Sequence, residues 1–256
     1  MEVAVDRPQV LLEDDHLLVL NKPAGWLVAE VDRDRTVLAW ARQRALSMSA
    51  DPQALHLVHR LDRDTSGCIV LAKSLEDAQK LGATFSDRRV YKSYVALTFP
   101  VPAVRWAEVE HLLRARRIEG GEKMEVVEQH GVLAQSEVEV LARGRRYGFV
   151  RVLPKQGRKH HIRVALADMG APIIGDFLYG GRFVARQAKR VMLHARSLEF
   201  AHPHGLGHIR VHAPLARDLV TLFQQDGGLV PSALDRRHRR NRPKRKGPQG
   251  SDKRRR

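Results

Sequence analysis

The sequence predicts an α+β fold in one domain spanning residues 7–229, and three observations predict it. Short apolar runs bounded by Pro and Gly are interleaved with stretches of helical spacing. No fixed-period repeat divides the chain. Compositional bias is confined to its end, where residues 230–256 read as a basic disordered extension.

Taken in order, Val10–Leu12 and Leu17–Leu20 flank the polar break Glu13–His16 and read as a short hairpin. Asn21-Lys22-Pro23-Ala24-Gly25 ends it, because proline and glycine punctuate the backbone. A helix is expected from Thr36, with Val37, Trp40, Ala41 and Ala45 on one stripe, followed by a polar connection over Ser47–Gln53. His56–Leu61 approaches a turn at Asp62–Gly67, and Cys68–Ala72 continues as an apolar strand. Ser74 reads as an N-cap with Asp77 three residues on, and Leu75, Ala78, Gly82 and Phe85 give the stripe of the following helix. Tyr91–Phe99 is a strand whose alternation puts Lys92, Tyr94 and Ala96 on one face, so that Tyr94 sits beside a cation.

From Arg114 to Gly144 the pattern weakens, although Ser136–Leu141 and Tyr147–Leu153 are expected to pair as strands. Lys159–Met169 reads as a helix closed by Gly170, with Ile162, Ala165, Leu166 and Met169 as its stripe. On its flank Lys159 and Arg163 are four residues apart and are expected to point the same way. A last helix is expected over Pro214–Gln225, burying Leu215, Leu219, Leu222 and Phe223.

Composition narrows the function classes. With 256 residues and 43% hydrophobic content, the chain can bury a substantial core. No apolar run approaches the roughly 18 residues that span a bilayer, and Met1–Gln9 carries acids and a proline where a signal peptide is basic and then apolar. A cytoplasmic protein without membrane association is expected. Cys68 is the only cysteine, which excludes an internal disulfide and a cysteine-based zinc cluster; in its apolar strand it reads as a small core residue. Adjacent His160 and His161 diverge in direction on a helix and suggest no metal pair. Without a GxGxxG or Walker pattern, Gly25, Gly67, Gly170 and Gly175 read as turn and cap devices and not as a nucleotide cradle.

The net charge of +16 points to a polyanionic partner. Asp235–Arg256 holds nine Arg and three Lys against two Asp, a net of +10 that leaves +6 for the rest. The tail therefore reads as a phosphate-binding arm, the alternative being a solubilising end.

His59-Arg60-Leu61-Asp62-Arg63-Asp64-Thr65-Ser66-Gly67 resembles the signature of the RluA-type pseudouridine synthases. Further similar landmarks are Glu13-Asp14-Asp15, Asn21-Lys22-Pro23-Ala24-Gly25, Tyr91-Lys92-Ser93-Tyr94, Gly157–Arg163, Gly170–Asp176, Leu193-His194-Ala195 and His202-Pro203, covering roughly Val10 to Leu215 in order. The resemblance implies the pseudouridine synthase fold, a long, mixed but mainly antiparallel sheet with flanking helices around a central RNA cleft. It implies isomerisation of uridines in structured RNA, ribosomal or transfer, by a monomer needing no cofactor and no metal. It makes Asp62 the catalytic aspartate, Tyr94 the aromatic packed on the target base, and Arg163 the basic partner of Asp62. Arg60 would fill the gap left by the flipped nucleotide, and His59, Lys92, Arg158 and Lys159 would contact RNA. Two positions depart from the family pattern: His161 stands where Gln is usual, and Val164-Ala165 replaces Val-His, which puts RNA contacts near that helix in question.

The residue types suit the chemistry. Uracil must leave C1′, turn and rejoin through C5, which calls for a positioned carboxylate acting as nucleophile or base. A guanidinium keeps such a carboxylate ionised, and an aromatic face holds the extruded base for about 1–3 kcal/mol. Two rival readings are a noncatalytic RNA-binding protein on the same scaffold and a glycosidase-like enzyme that would release free base.

Deleting Asp235–Arg256 is expected to leave activity on a short RNA intact while weakening binding to long RNA. The log–log salt dependence of binding should become shallower by about 0.7 for each single-strand phosphate that the tail no longer neutralises. Equal slopes for both proteins would show that the tail is no phosphate arm.

Overall fold

The structure is a computed structural model that describes residues 7–29, 36–119, 121–232 and 234; the basic tail from Asp235 lies outside the described residues. Its strands are β1 (Gln9–Glu13), β2 (Leu17–Lys22), β3 (His56–Leu57), β4 (Ser66–Ala72), β5 (Tyr91–Thr98), β6 (Trp106–Ile118), β7 (Gly121–Val127), β8 (Val132–Arg143), β9 (Gly148–Pro154), β10 (Leu193–Ala201) and β11 (His208–His212). Among the described residues they form one sheet in the order β1-β2-β4-β10-β5-β9-β8-β6-β7, with β3 added to β4 and β11 to β10. Every pairing is antiparallel except β4 with β10. The helices are α1 (Val37–Ser47), α2 (Leu75–Ser86), α3 (His161–Asp168), α4 (Phe177–Ala185) and α5 (Arg217–Gln225). Among the described residues none is long and apolar enough to cross a membrane. The expected mixed, mainly antiparallel α+β architecture is the one observed.

The apolar runs of β2 and β4 have a simple cause: both strands are covered on both faces. Leu17, Val19, Val70 and Ala72 pack with Leu81 of α2, while Leu18, Leu20, Ile69 and Leu71 pack with Val37 and Ala41 of α1. The third large cluster joins β5, β8 and β9 to Ile162 and Leu166 of α3 and to Leu219 and Phe223 of α5.

Several sequence expectations need correction. Residues 66 and 67 belong to β4, because the parallel pairing with β10 starts there. Of the expected α2 stripe only Leu75 is exposed; Ala78 and Phe85 pack on the core together with buried Leu81, and Asp77, whose amide Ser74 Oγ caps, is also buried. Pro52–Ala54 forms a short 3-10 turn inside the polar connection. The last helix begins at Arg217, three residues beyond the expected Pro214. The helix expected from Lys159 begins at His161, because His160 has left-handed φ and ψ of 54° and 9°. Lys159 and Arg163 therefore do not share a helical flank: Lys159 pairs with Glu122 at 2.9 Å, and Arg163 turns to Asp176.

Close backbone approach and donated hydrogen bonds fix the Asp62–Thr65 turn. Gly67 has φ +111°, and a Cβ there would lie 2.1 Å from the Ala195 carbonyl oxygen on β10. Lys22 is fully buried, and its Nζ donates to the carbonyls of Pro23, Trp26 and Arg63 at 3.1, 2.8 and 2.9 Å. Gly25 N–H donates to the same Arg63 carbonyl at 2.9 Å, and Arg190 Nη1 donates to the Asp64 carbonyl at 3.2 Å. The Asn21–Gly25 segment is thus the floor on which the turn rests. Burial pushes the Lys22 pKa down to about 7, with Asp64 and Asp62 pulling it up and Arg190 adding to the fall.

Gly67→Ala is expected to lower unfolding stability by at least about 2 kcal/mol in a denaturant titration, through strain and the clash with β10; an unchanged midpoint would contradict the close approach. A second expectation follows from Lys22. Between pH 7 and 10 the unfolded chain keeps this proton while the folded chain releases it, so the penalty of a buried ammonium, complete below pH 7, is relieved as pH rises. Stability of the wild type relative to Lys22→Met should therefore climb over that interval in thermal melts. A flat difference would place the Lys22 pKa near its ordinary value.

Candidate active site

The Asp62 turn, β5, the segment before α3 and the C-terminal end of α2 enclose a cleft of about 490 Å³. All eight residues expected from the sequence line it: Asp62, Arg163, Tyr94, Arg60, His59, Lys92, Arg158 and Lys159. Strand alternation accounts for Tyr94 and Lys92 on the same wall.

At the inner end, Arg163 Nη1 lies 3.5 Å from Asp62 Oδ2. The two-pronged pairing goes elsewhere: Arg163 Nε and Nη2 donate to Asp176 Oδ2 and Oδ1 at 2.7 and 2.9 Å. Asp176 is fully buried and also caps α4, accepting from the Leu178 and Tyr179 amides at 3.1 and 3.2 Å. Burial works against the Arg163 charge, but Asp176 and then Asp62 outweigh it and its pKa is raised. Asp62 remains partly exposed, at 26% of its side chain, against 1% for Asp176.

His160 Nε2 is 3.9 Å from Asp62 Oδ2, and its Nδ1 is 2.9 Å from the Tyr179 hydroxyl. That hydroxyl already accepts from the Met124 amide at 2.9 Å, so its own proton is available to His160 Nδ1. When that proton goes to Nδ1, the imidazole carries its own on Nε2, facing Asp62. Burial and Arg163 lower the His160 pKa, with Asp62 opposing, while burial pushes the Tyr179 hydroxyl up to about 12. The Tyr179 ring also faces the Arg163 guanidinium at 5.1 Å. Tyr94 stays a neutral phenol, because burial and the Asp62 charge raise its pKa.

Toward the mouth, His59 accepts the Val70 amide on Nε2 at 3.0 Å and stacks on Phe85 with centroids 4.5 Å apart. Burial, reinforced by Lys92, lowers its pKa to about 3, so the ring is neutral, while the neighbouring Arg60 is exposed. Lys92 is only 8% exposed, and burial lowers its pKa. The two departures from the family pattern are buried, His161 also lining the cleft. His161 Nε2 lies 3.1 Å from Ser136 Oγ and its Nδ1 3.3 Å from the Gln156 carbonyl, while Val164 packs on Leu113, Met124 and Ala134 and Ala165 is fully buried.

Sequence reasoning missed Asp176, Tyr179 and the anchoring role of Lys22. A signal existed for Asp176, which follows Gly175 and precedes an apolar stretch as an N-cap does. Nothing local marks Tyr179, whose partners Met124 and His160 are distant in sequence.

Comparison with known proteins identifies the family. A family model described as RNA pseudouridylate synthase matches residues 16–168. Ribosomal large subunit pseudouridine synthase D of Pseudomonas aeruginosa is 35% identical over 235 residues, covering 85% of this chain and 72% of its own. Ribosomal large subunit pseudouridine synthase C of Escherichia coli K12 is 34% identical over 233 residues, covering 88% and 72%. Among solved structures, human RNA pseudouridylate synthase domain containing 4 superposes with a TM-score of 0.72 at 25% identity, over 87% of this chain and 94% of that one. With a family model matching residues 16–168 and relatives matching most of its length, the chain belongs to the RNA pseudouridylate synthase family.

Proposed function

We propose that this RNA pseudouridine synthase acts through Asp62 on uridine in ribosomal RNA of the large subunit. The observation that carries the catalytic reading is the position of Asp62, on the cleft wall within reach of Arg163 Nη1. The relatives named above support the ribosomal substrate. Transfer RNA is the other structured RNA of suitable chemistry.

In the reaction the N1–C1′ bond breaks, the uracil turns, a C5–C1′ bond forms, C5 loses its proton and N1 gains one. Atoms and electrons balance without oxidant, reductant, cofactor or metal. Asp62 serves as nucleophile or base, with Arg163 Nη1 3.5 Å from its Oδ2. Tyr94 offers its ring to the extruded base. Arg60 occupies the vacated stack, and Lys92, Arg158 and Lys159 meet phosphates, a role in which they position the RNA without reading its sequence; His59, stacked on Phe85, lines the cleft beside it. We take a monomer as the working unit and place it in the cytoplasm with its RNA. The catalytic domain is residues 7–229, with the basic segment that follows as a separate arm.

Asp62→Asn is expected to fold and bind RNA like wild type while single-turnover pseudouridine formation falls by at least about 10³-fold. Thermal melts, an RNA titration and a count of pseudouridine and free uracil read the three properties separately. Substantial turnover in the folded variant would remove Asp62 from the chemistry. Release of free uracil by wild type would favour the glycosidase-like reading, and neither product on any ribosomal or transfer RNA the noncatalytic one.

A further inference from the structure

Outside the cleft, a second cluster of titratable groups forms where α2 begins. His16 lies between β1 and β2, Asp77 in the first turn of α2, and His204 between β10 and β11. His16 Nδ1 and His204 Nε2 both approach one carboxylate oxygen, Asp77 Oδ1, at 3.3 and 2.6 Å. The three atoms all lie within 4.8 Å of one another. The two imidazoles stack with centroids 3.8 Å apart over a carboxylate that is 4% exposed, while their own side chains are 29% and 28% exposed.

Each of these donors is held from behind. Ser74 Oγ donates to Asp77 Oδ2 at 2.7 Å, leaving Oδ1 to the histidines. Asp14 Oδ1 accepts from the His16 and Leu17 amides at 2.8 and 2.9 Å. His202 accepts the His204 amide on Nδ1 at 3.1 Å, which leaves its Nε2 proton for Asp14 Oδ2 at 3.2 Å. Hydrogen bonds at Asp77 Oδ2 and at the His16 and His204 backbone amides therefore position three groups that come from distant parts of the chain.

We propose that His16, Asp77 and His204 bind a divalent transition-metal ion of the zinc type. Two imidazole nitrogens and one carboxylate oxygen are the ligand set such ions accept, with bonds of about 2.0–2.2 Å and tetrahedral ligand atoms about 3.3 Å apart. The His16–Asp77 spacing already fits, and the His204–Asp77 contact has to open by less than about 1 Å. His204 then carries its proton on Nδ1. Lys80 Nζ, 3.5 Å from that nitrogen, turns fully to Glu76, with which it already pairs at 2.6 Å. Water completes the fourth position. The absence of paired cysteines excludes only a thiolate site and leaves this one open.

The ion clips three segments together and takes no part in the isomerisation. Its consequence for the cleft is mechanical. The far end of α2 supplies Gly82, Phe85 and Ser86 to the cleft wall, about 12 Å along the helix from Asp77 to Phe85. Phe85 is the ring on which His59 rests.

The test uses full-length, untagged protein freed of metal by a chelator and then titrated with Zn²⁺ or Mg²⁺. One Zn²⁺ should bind per chain and raise the melting temperature, with no effect of Mg²⁺. Asp77→Asn and His204→Gln should each weaken zinc binding at least about 10-fold, while His208→Gln, at an exposed position, should not. Because the first two variants also disturb the start of α2, Co²⁺ added to wild type gives an independent reading: a tetrahedral d–d absorption that Zn²⁺ removes. Absence of stoichiometric Zn²⁺ binding by wild type would overturn the proposal. So would binding that Asp77→Asn and His204→Gln both retain, which would leave the cluster as a hydrogen-bonded network.

Discussion

Arg163 has one guanidinium and two carboxylates to serve, and the way it divides itself organises the site. Nε and Nη2 are committed to Asp176, which is buried and also caps α4, so the guanidinium plane is fixed from behind. Only Nη1 is left for Asp62, at 3.5 Å, a distance that attracts without forming a tight bond. A fully paired Asp62 would be a poor nucleophile, and an unpaired one would be costly to desolvate when RNA fills the cleft. The two carboxylates also outnumber the one guanidinium. The Leu178 and Tyr179 amides at the start of α4 supply compensating positive potential to Asp176.

The rest of the fold keeps that geometry in register. Asp62 sits on an irregular turn, yet its neighbours' carbonyls are held by Lys22, Gly25 and Arg190, three donors from two other segments. Directly after the turn, Gly67 lets β4 run against β10 in the sheet's one parallel contact among the described residues. Tyr94 pairs with Ala195 on the same β10, so the turn and the base-stacking ring are measured from a common strand. This explains why landmarks near residues 22, 62, 94 and 195 recur together in one sequence.

Where burial is two-sided or a cap is local, the sequence was readable. β2, β4 and the Ser74 cap follow directly from apolar runs and a serine three residues before an aspartate. β6 and β7 were invisible because their periodicity carries little apolar contrast. Glu108 and Glu110 face outward opposite Ala107, Val109 and His111, and beyond Leu113 the strand is exposed and rich in arginine. The start of α3 was misplaced since spacing alone cannot reveal the left-handed turn at His160. The candidate site divides in the same way. Asp62, Tyr94 and Arg163 stand in recognisable strings, whereas Asp176 and Tyr179 matter through contacts made only once the chain has folded.

The division of Arg163 between two carboxylates is tested most directly by the single-turnover rate of pseudouridine formation in Asp176→Asn protein, measured on its folded fraction beside an RNA titration. Asn keeps an oxygen for the α4 amides but offers Arg163 neither the charge nor a second acceptor. The expected result is unchanged RNA affinity with a rate lower by about 10²-fold, the scale of a misplacement near 1 Å. A wild-type rate in folded Asp176→Asn would contradict the claim that Asp176 aims Arg163 at Asp62.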